Sequence, residues 1–204
     1  PFDKKTIYYG SQYLHKTSDY GESWEIISPD LTTNDTSKQN WLETGGLTYD
    51  VTGAEFHTTI ISIAPSPKNE DIIWVGTDDG NVQITKDGGK TWTNCISKIK
   101  GVPPTTWVTQ ITASTHSEGE AFVVFDDHRR NNWDVLVYRT KDYGKTWTQI
   151  ADNDDMRGYA LSFAQDPVEP KLYFVGTEFG LYFSFDEGTK WHKWTHELPT
   201  MPIQ

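Results

Sequence analysis

The sequence predicts an all-β fold assembled from repeated four-stranded antiparallel sheets, and three observations carry that expectation. Composition is the first: 35% of the 204 residues are hydrophobic and 14% aromatic, with nine Trp, ten Tyr and nine Phe. Such side chains fill pleated, half-buried surfaces. The second is an eight-residue pattern, Ser/Thr-x-Asp-x-Gly-x-x-Trp, found at 17–24 (TSDYGESW), 85–92 (TKDGGKTW), 140–147 (TKDYGKTW) and 184–191 (SFDEGTKW). The third is the text leading into each pattern, where short apolar runs alternate with Gly-, Asp- or Pro-containing turns.

The spacing within the pattern has a mechanical reading. An Asp carboxylate accepts neighbouring backbone N–H groups, Gly supplies a positive φ, and the hydroxyl residue two places before the Asp adds a further bond. Trp then packs back over the turn, closing a hairpin between two strands. Asp19, Asp87, Asp142 and Asp186 are therefore expected to be structural, together with Gly21, Gly89, Gly144 and Gly188. Trp24, Trp92, Trp147 and Trp191 are all expected to be buried.

The strand before each hairpin reads Ile7–Gly10, Ile73–Gly76, Phe122–Phe125 or Tyr173–Gly176, followed by a turn and a strand that runs into the pattern. Upstream lie TIISIA (59–64), WVTQITA (107–113) and YALSFA (159–164), which brings the count to four strands per unit. Successive pattern aspartates are 68, 55 and 44 residues apart, and about 40–50 residues per unit suits the blade of a β-propeller. We expect about four blades, at 1–27, 57–97, 107–151 and 158–196, the first without its innermost strand. Residues 197–204 are expected to begin a further blade or to close a ring, so the chain reads as a piece of a larger propeller. Open blade edges in such a piece favour pairing with other chains. The surplus length falls in loops at 28–57, 96–106 and 126–132.

Charge and motifs exclude several classes. A net charge of −11 repels phosphate backbones, and Arg129, Arg130, Arg139 and Arg157 make no basic stripe, so nucleic acid is not an expected partner. The chain contains no apolar stretch of membrane-spanning length. Cys95 stands alone and forms no intrachain disulfide. His57, His128 and His196 lack metal-ligand spacing, and His192 and His196 lie too far apart along a strand to share one ion. With no phosphate loop, nucleophile motif or metal cluster, neither a cofactor nor a metal is expected.

The four patterns, with the phrases ISPDLTTND (27–35), GGLTYDVTGAE (45–55), FDDHR (125–129), FVGTEFGL (174–181) and ELPTMPIQ (197–204), resemble the BNR or Asp-box repeat superfamily. Within it they are similar to the sortilin-like propellers of large bacterial proteins named as glycosyl hydrolases. The resemblance implies a ligand-binding or scaffold propeller segment in a secreted or periplasmic protein. Its ligand would be carbohydrate or peptide, and its immediate partners the remaining blades of the parent. It leaves open the alternative of a sialidase- or xyloglucanase-like hydrolase, although the four arginines are not distributed as a sialidase triad requires.

Blade topology places any site. The box joins the third and fourth strands, so it shares a face with the turns between strands one and two. The opposite face gathers Asp78, Asp126, Asp127, His128, Arg129 and Glu178 from the turns between strands two and three, and Tyr49, Asp50, Glu55 and His57 from a long link. Asp78, Asp126 and Glu178 read as matching positions, suited to an acid/base pair, a cation site or a sugar-binding rim. They equally suit turn residues that bond their own backbone, and Asp126 with Arg129 suits an ion pair closing its loop. Trp41, Trp107 and Trp133, flanked by polar residues, are the candidate stacking platforms.

Overall fold

The computed structural model describes residues 2–39 and 57–204. Strands β1 (Ile7–Gly10), β2 (Leu14–Thr17) and β3 (Glu25–Ile26) form a three-stranded sheet, blade I. Blade II contains β4 (Ile60–Pro65), β5 (Ile73–Thr77), β6 (Val82–Thr85) and β7 (Thr93–Asn94). Blade III contains β8 (Trp107–Ala113), β9 (Ala121–Asp126), β10 (Leu136–Thr140) and β11 (Thr148–Ala151). Blade IV contains β12 (Ala160–Gln165), β13 (Tyr173–Thr177), β14 (Gly180–Ser184) and β15 (His192–Lys193). Every pairing is antiparallel between consecutive strands, so each sheet is a simple meander.

Each box closes as its residue types dictate. In the third, Thr140 Oγ1 donates to Asp142 Oδ1 (2.9 Å) and accepts from Gly144 N (3.0 Å), while Thr146 donates from its amide and its hydroxyl to the two Asp142 oxygens (2.8 and 2.7 Å). The first and second boxes repeat this with Thr17, Asp19 and Ser23, and with Thr85, Asp87 and Thr91. The fourth has Lys190 where the others carry a hydroxyl, so Asp186 receives only the Lys190 amide there (2.9 Å). Hydrogen bonds from Ser23 and Thr17 hold the Asp19 carboxyl well below the usual range, and those from Thr91 and Thr85 hold Asp87 at about 2. The box glycine takes a left-handed backbone, as at Gly89 with φ 101°, which a side chain would strain.

The cores lie between blades, not within them. One cluster joins Trp74, Val82, Ile84 and Cys95 of blade II to Val108, Val123, Phe125 and Leu136 of blade III. A second joins Phe122, Val124 and Val137 of blade III to Phe163, Tyr173, Val175 and Trp191 of blade IV. Leu14, Leu31, Ile60, Ile73 and Val75 fill the space between blades I and II. A sheet apolar on both faces must be covered on both, which is why β5 and β9 are buried along their whole length.

This arrangement corrects the expectation that all four box tryptophans are buried. Trp191 is buried, Trp92 and Trp147 are partly buried, and Trp24 is 47% exposed. The box tryptophan packs on the preceding blade: Trp92 Nε1 donates to Ile27 O (3.3 Å) and Trp191 Nε1 to Ile150 O (2.7 Å). Trp147 instead meets Trp74 edge-on, with ring centroids 5.9 Å apart. Trp24 has no earlier blade among the described residues.

Candidate functional site

Cross-bonds fix the two faces. Gly88 N, Tyr143 N and Glu187 N of the boxes donate to Asp71 O, Gly119 O and Lys171 O, in the turns between the first and second strands of the same blades. The turns after β5, β9 and β13 therefore share the opposite face. Of these, the loop from β9 to β10 is the longest, and it folds as a short 3-10 turn over His128–Arg130.

Asp126, at the end of β9, anchors that loop. Its carboxylate accepts from His128 N (3.0 Å), lies 2.6 and 2.8 Å from His128 Nδ1, and sits 3.5 Å from Arg129 Nη1. A proton on Nδ1 fixes both tautomer and ring plane. The imidazole, so held, stacks on Tyr159 of blade IV, with centroids 4.5 Å apart and planes 20° apart. Trp133 meets Tyr159 edge-on at 5.6 Å and is 48% exposed. His128, Tyr159 and Trp133 thus form one aromatic shelf across the junction of blades III and IV. Beside it opens a recess of about 520 Å³ lined by Trp133, Met156, Arg157, Glu178 and Phe179, where the Arg157 guanidinium lies 4.9 Å from the Phe179 ring centre.

The remaining candidates divide. Asp127 is buried and receives Arg130 Nε (2.5 Å) and Asn132 Nδ2 (3.1 Å), while Arg130 continues to Pro104 O, Thr105 and Thr106. That carboxylate ties the loop to the link before β8. Arg129 lies 4.1 Å over the Trp107 ring, which covers that expected platform. Asp78 is 2% exposed and accepts from Thr59 N (2.7 Å), with His57 Nδ1 at 3.8 Å. Burial, reinforced by the neighbouring charge of Asp79, pushes its carboxyl up to about 6 despite the Thr59 amide, and burial lowers the His57 imidazole. Tyr49, Asp50, Glu55 and Trp41 lie outside the described residues.

The expected match of Asp78, Asp126 and Glu178 is off by one residue. Trp107 pairs with Asp126 as Ile60 does with Thr77 and Ala160 with Thr177. Asp127 is therefore the counterpart of Asp78 and Glu178, and Asp126 takes the place of a strand-end threonine. Sequence reasoning also missed Tyr159 and Arg157. Tyr159 reads as the first residue of an apolar strand, yet it stands just before β12 on the open face. Among the described residues no three His, Cys, Asp or Glu side chains cluster to hold a metal.

These features define a segment of an Asp-box β-propeller with a polar and aromatic rim on the face opposite its boxes. The BNR/Asp-box repeat model matches residues 83–94, the second box with its flanking strands. An oligoxyloglucan-reducing end-specific xyloglucanase of Emericella nidulans is 27% identical over 119 residues, covering 52% of this chain and 13% of that protein. An ancestral GH74 enzyme superposes with a TM-score of 0.68 at 15% identity, over 97% of this chain and 23% of its own. The GH74 enzyme of Niastella koreensis gives 0.67 at 17% identity, over 95% and 28%. The chain thus spans 13% of the length of the curated relative it matches.

Proposed function

We propose that this chain is a carbohydrate-binding segment of a glycosidase-related propeller, and that it works outside the cytoplasm. The observation that carries the reading is the His128–Tyr159–Trp133 shelf beside the Arg157–Glu178 recess. Sugar rings present apolar C–H faces to aromatic planes and equatorial hydroxyls to charged side chains, and here both lie side by side on a rigid scaffold. The similarity to a xyloglucanase and to GH74 structures supports a neutral polysaccharide over a peptide. Among the described residues no helix is long and apolar enough to cross a membrane, which is compatible with secretion.

Asp126 acts in this reading as the anchor of the shelf. Its two oxygens are occupied by His128 and Arg129, so it positions the imidazole and does not itself meet the ligand. A glycan array and a peptide array on the purified chain test the proposal. Binding to neutral β-glucan oligosaccharides, lost in Trp133→Ala, is expected. Peptide binding that survives Trp133→Ala, with no glycan retained, would overturn it in favour of a sortilin-like role.

A further inference from the structure

The arginines nearest the shelf are held in different ways. Arg130 spends its donors inside the fold, on Asp127, Pro104 O, Thr105 and Thr106, and Arg139 spends its own on Glu120 and Glu187. Arg129 is different. Its guanidinium rests over the Trp107 ring, its side chain is 43% exposed, and its one polar contact is the long one from Nη1 to Asp126 (3.5 Å). Nε and Nη2 meet no acceptor among the described residues. A guanidinium backed by an aromatic face gives up freedom of movement while its donor edge stays unspent.

The loop after β9 treats Arg129 as it treats His128. Trp107 opens β8 and Tyr159 stands just before β12, so two aromatic rings mark the starts of the first strands of blades III and IV on the face opposite the boxes. The loop sets one side chain on each ring, His128 on Tyr159 and Arg129 on Trp107. Both side chains are tied to the one Asp126 carboxylate. The shelf therefore does not stop at His128: polar and aromatic surface continues through Asp126 and Arg129 to Trp107. Every member of this row lies in blade III or at its junction with blade IV.

Charge decides what this second position takes. Alone, an arginine fork matches a carboxylate. Here the Asp126 carboxylate already lies against the guanidinium, Glu178 faces the recess beside the shelf, and the chain carries −11 overall, so an anionic ligand meets repulsion. Adjacent hydroxyls of a neutral sugar accept from Nε and Nη2 without adding charge. We infer that Arg129, backed by Trp107, is a second sugar-binding position, and that the ligand is a neutral oligosaccharide chain lying across the loop from the shelf to Trp107. The inference rests on the shelf as the ligand platform and adds to it the direction and the length of the ligand. Arg129 is the binding residue of this position, and Trp107 acts through it as a positioning residue.

The test is calorimetric titration of the 204-residue chain with a neutral β-glucan disaccharide and with the matching hexasaccharide. The hexasaccharide should bind about tenfold tighter than the disaccharide. Arg129→Met keeps an apolar stem over Trp107 and removes the donors, so it should erase that gain and leave the disaccharide affinity unchanged. Arg129→Lys, a point charge without the fork, should do the same. Trp133→Ala should weaken both lengths, and melting temperatures check that each variant folds. Equal affinity of the unmodified chain for the two lengths, a gain that survives Arg129→Met, or an equal loss at both lengths in that variant would overturn the inference and leave the shelf standing. Tighter binding of a uronic acid hexasaccharide than of the neutral one would overturn the neutral ligand. An unmodified chain that binds neither neutral length would overturn the shelf reading and this inference with it.

Discussion

At the scale of single residues, Asp126 and Asp78 show how position separates two carboxylates of one face. Asp126 spends its oxygens on the loop that carries His128, so its effect on a ligand passes through the imidazole. Asp126→Asn should keep the backbone bond from His128 N yet loosen the ring, weakening glycan binding about tenfold, or ~1.4 kcal/mol. The imidazole resonances of His128, followed by NMR, should lose their single fixed tautomer, which a purely structural role would leave unchanged. Asp78 lies apart from that chemistry. Its folded value of about 6 stands above the ordinary 3.9, so the folded chain holds this proton more tightly than the unfolded one. Its contribution is fully favourable below about pH 4 and is lost as pH rises through about 6. Asp78→Asn should therefore raise the melting temperature at pH 8 by about 2–4 °C, the effect of about 1 kcal/mol in a chain of this size. The gain should vanish toward pH 4, and thermal melts at the two pH values check it.

At the scale of elements, the box is a joint as well as a turn. Asp142 receives Thr140 and Thr146 on its carboxylate, and Asp142→Ala leaves those groups to water. Because the site is largely exposed, the expected loss is about 1–2 kcal/mol in chemical denaturation, with glycan affinity unchanged. Much of this level was legible in the sequence. The four patterns located four hairpins, and the described strands around them fell where the apolar runs lay. The fate of the tryptophans was not legible, because their cover comes from another blade, 65 residues away in sequence for Trp92 and 41 for Trp191. The aromatic shelf escaped for the same reason. His128 and Trp133 stand in a conspicuous loop, but Tyr159 joins them only through the packing of two blades. The one-residue offset at Asp126 followed from counting carboxylates along the chain, where the ladder counts from Trp107.

At the scale of the whole molecule, stability rests on joints between meanders, and the boxes couple it to pH. Hydrogen bonds depress the carboxyls of Asp19, Asp87, Asp142 and Asp186 below ordinary values; at Asp142 they outweigh a burial effect that acts upward. A depressed folded value contributes stability that is present above about pH 4 and lost as pH falls through it. Acid should therefore destabilise all the boxes together, and a melting-temperature profile should fall between about pH 4 and pH 2. Replacing the four aspartates by Asn should flatten that fall. Small sheets in series also mean that each inner blade depends on two neighbours, and the charge of −11 favours solubility.

The claim on which the account turns is that the face opposite the boxes carries the ligand. Calorimetric titration with a neutral β-glucan oligosaccharide should compare Trp133→Ala and Asp126→Ala, on that face, with Asp71→Ala and Lys68→Ala, in the turn on the box face. The account predicts at least tenfold weaker binding for the first pair, with the melting temperature of Trp133→Ala near that of the unmodified chain and that of Asp126→Ala lowered by the loss of its loop hydrogen bonds, and unchanged affinity for the second. Equal losses from both pairs, or none from Trp133→Ala, would contradict it.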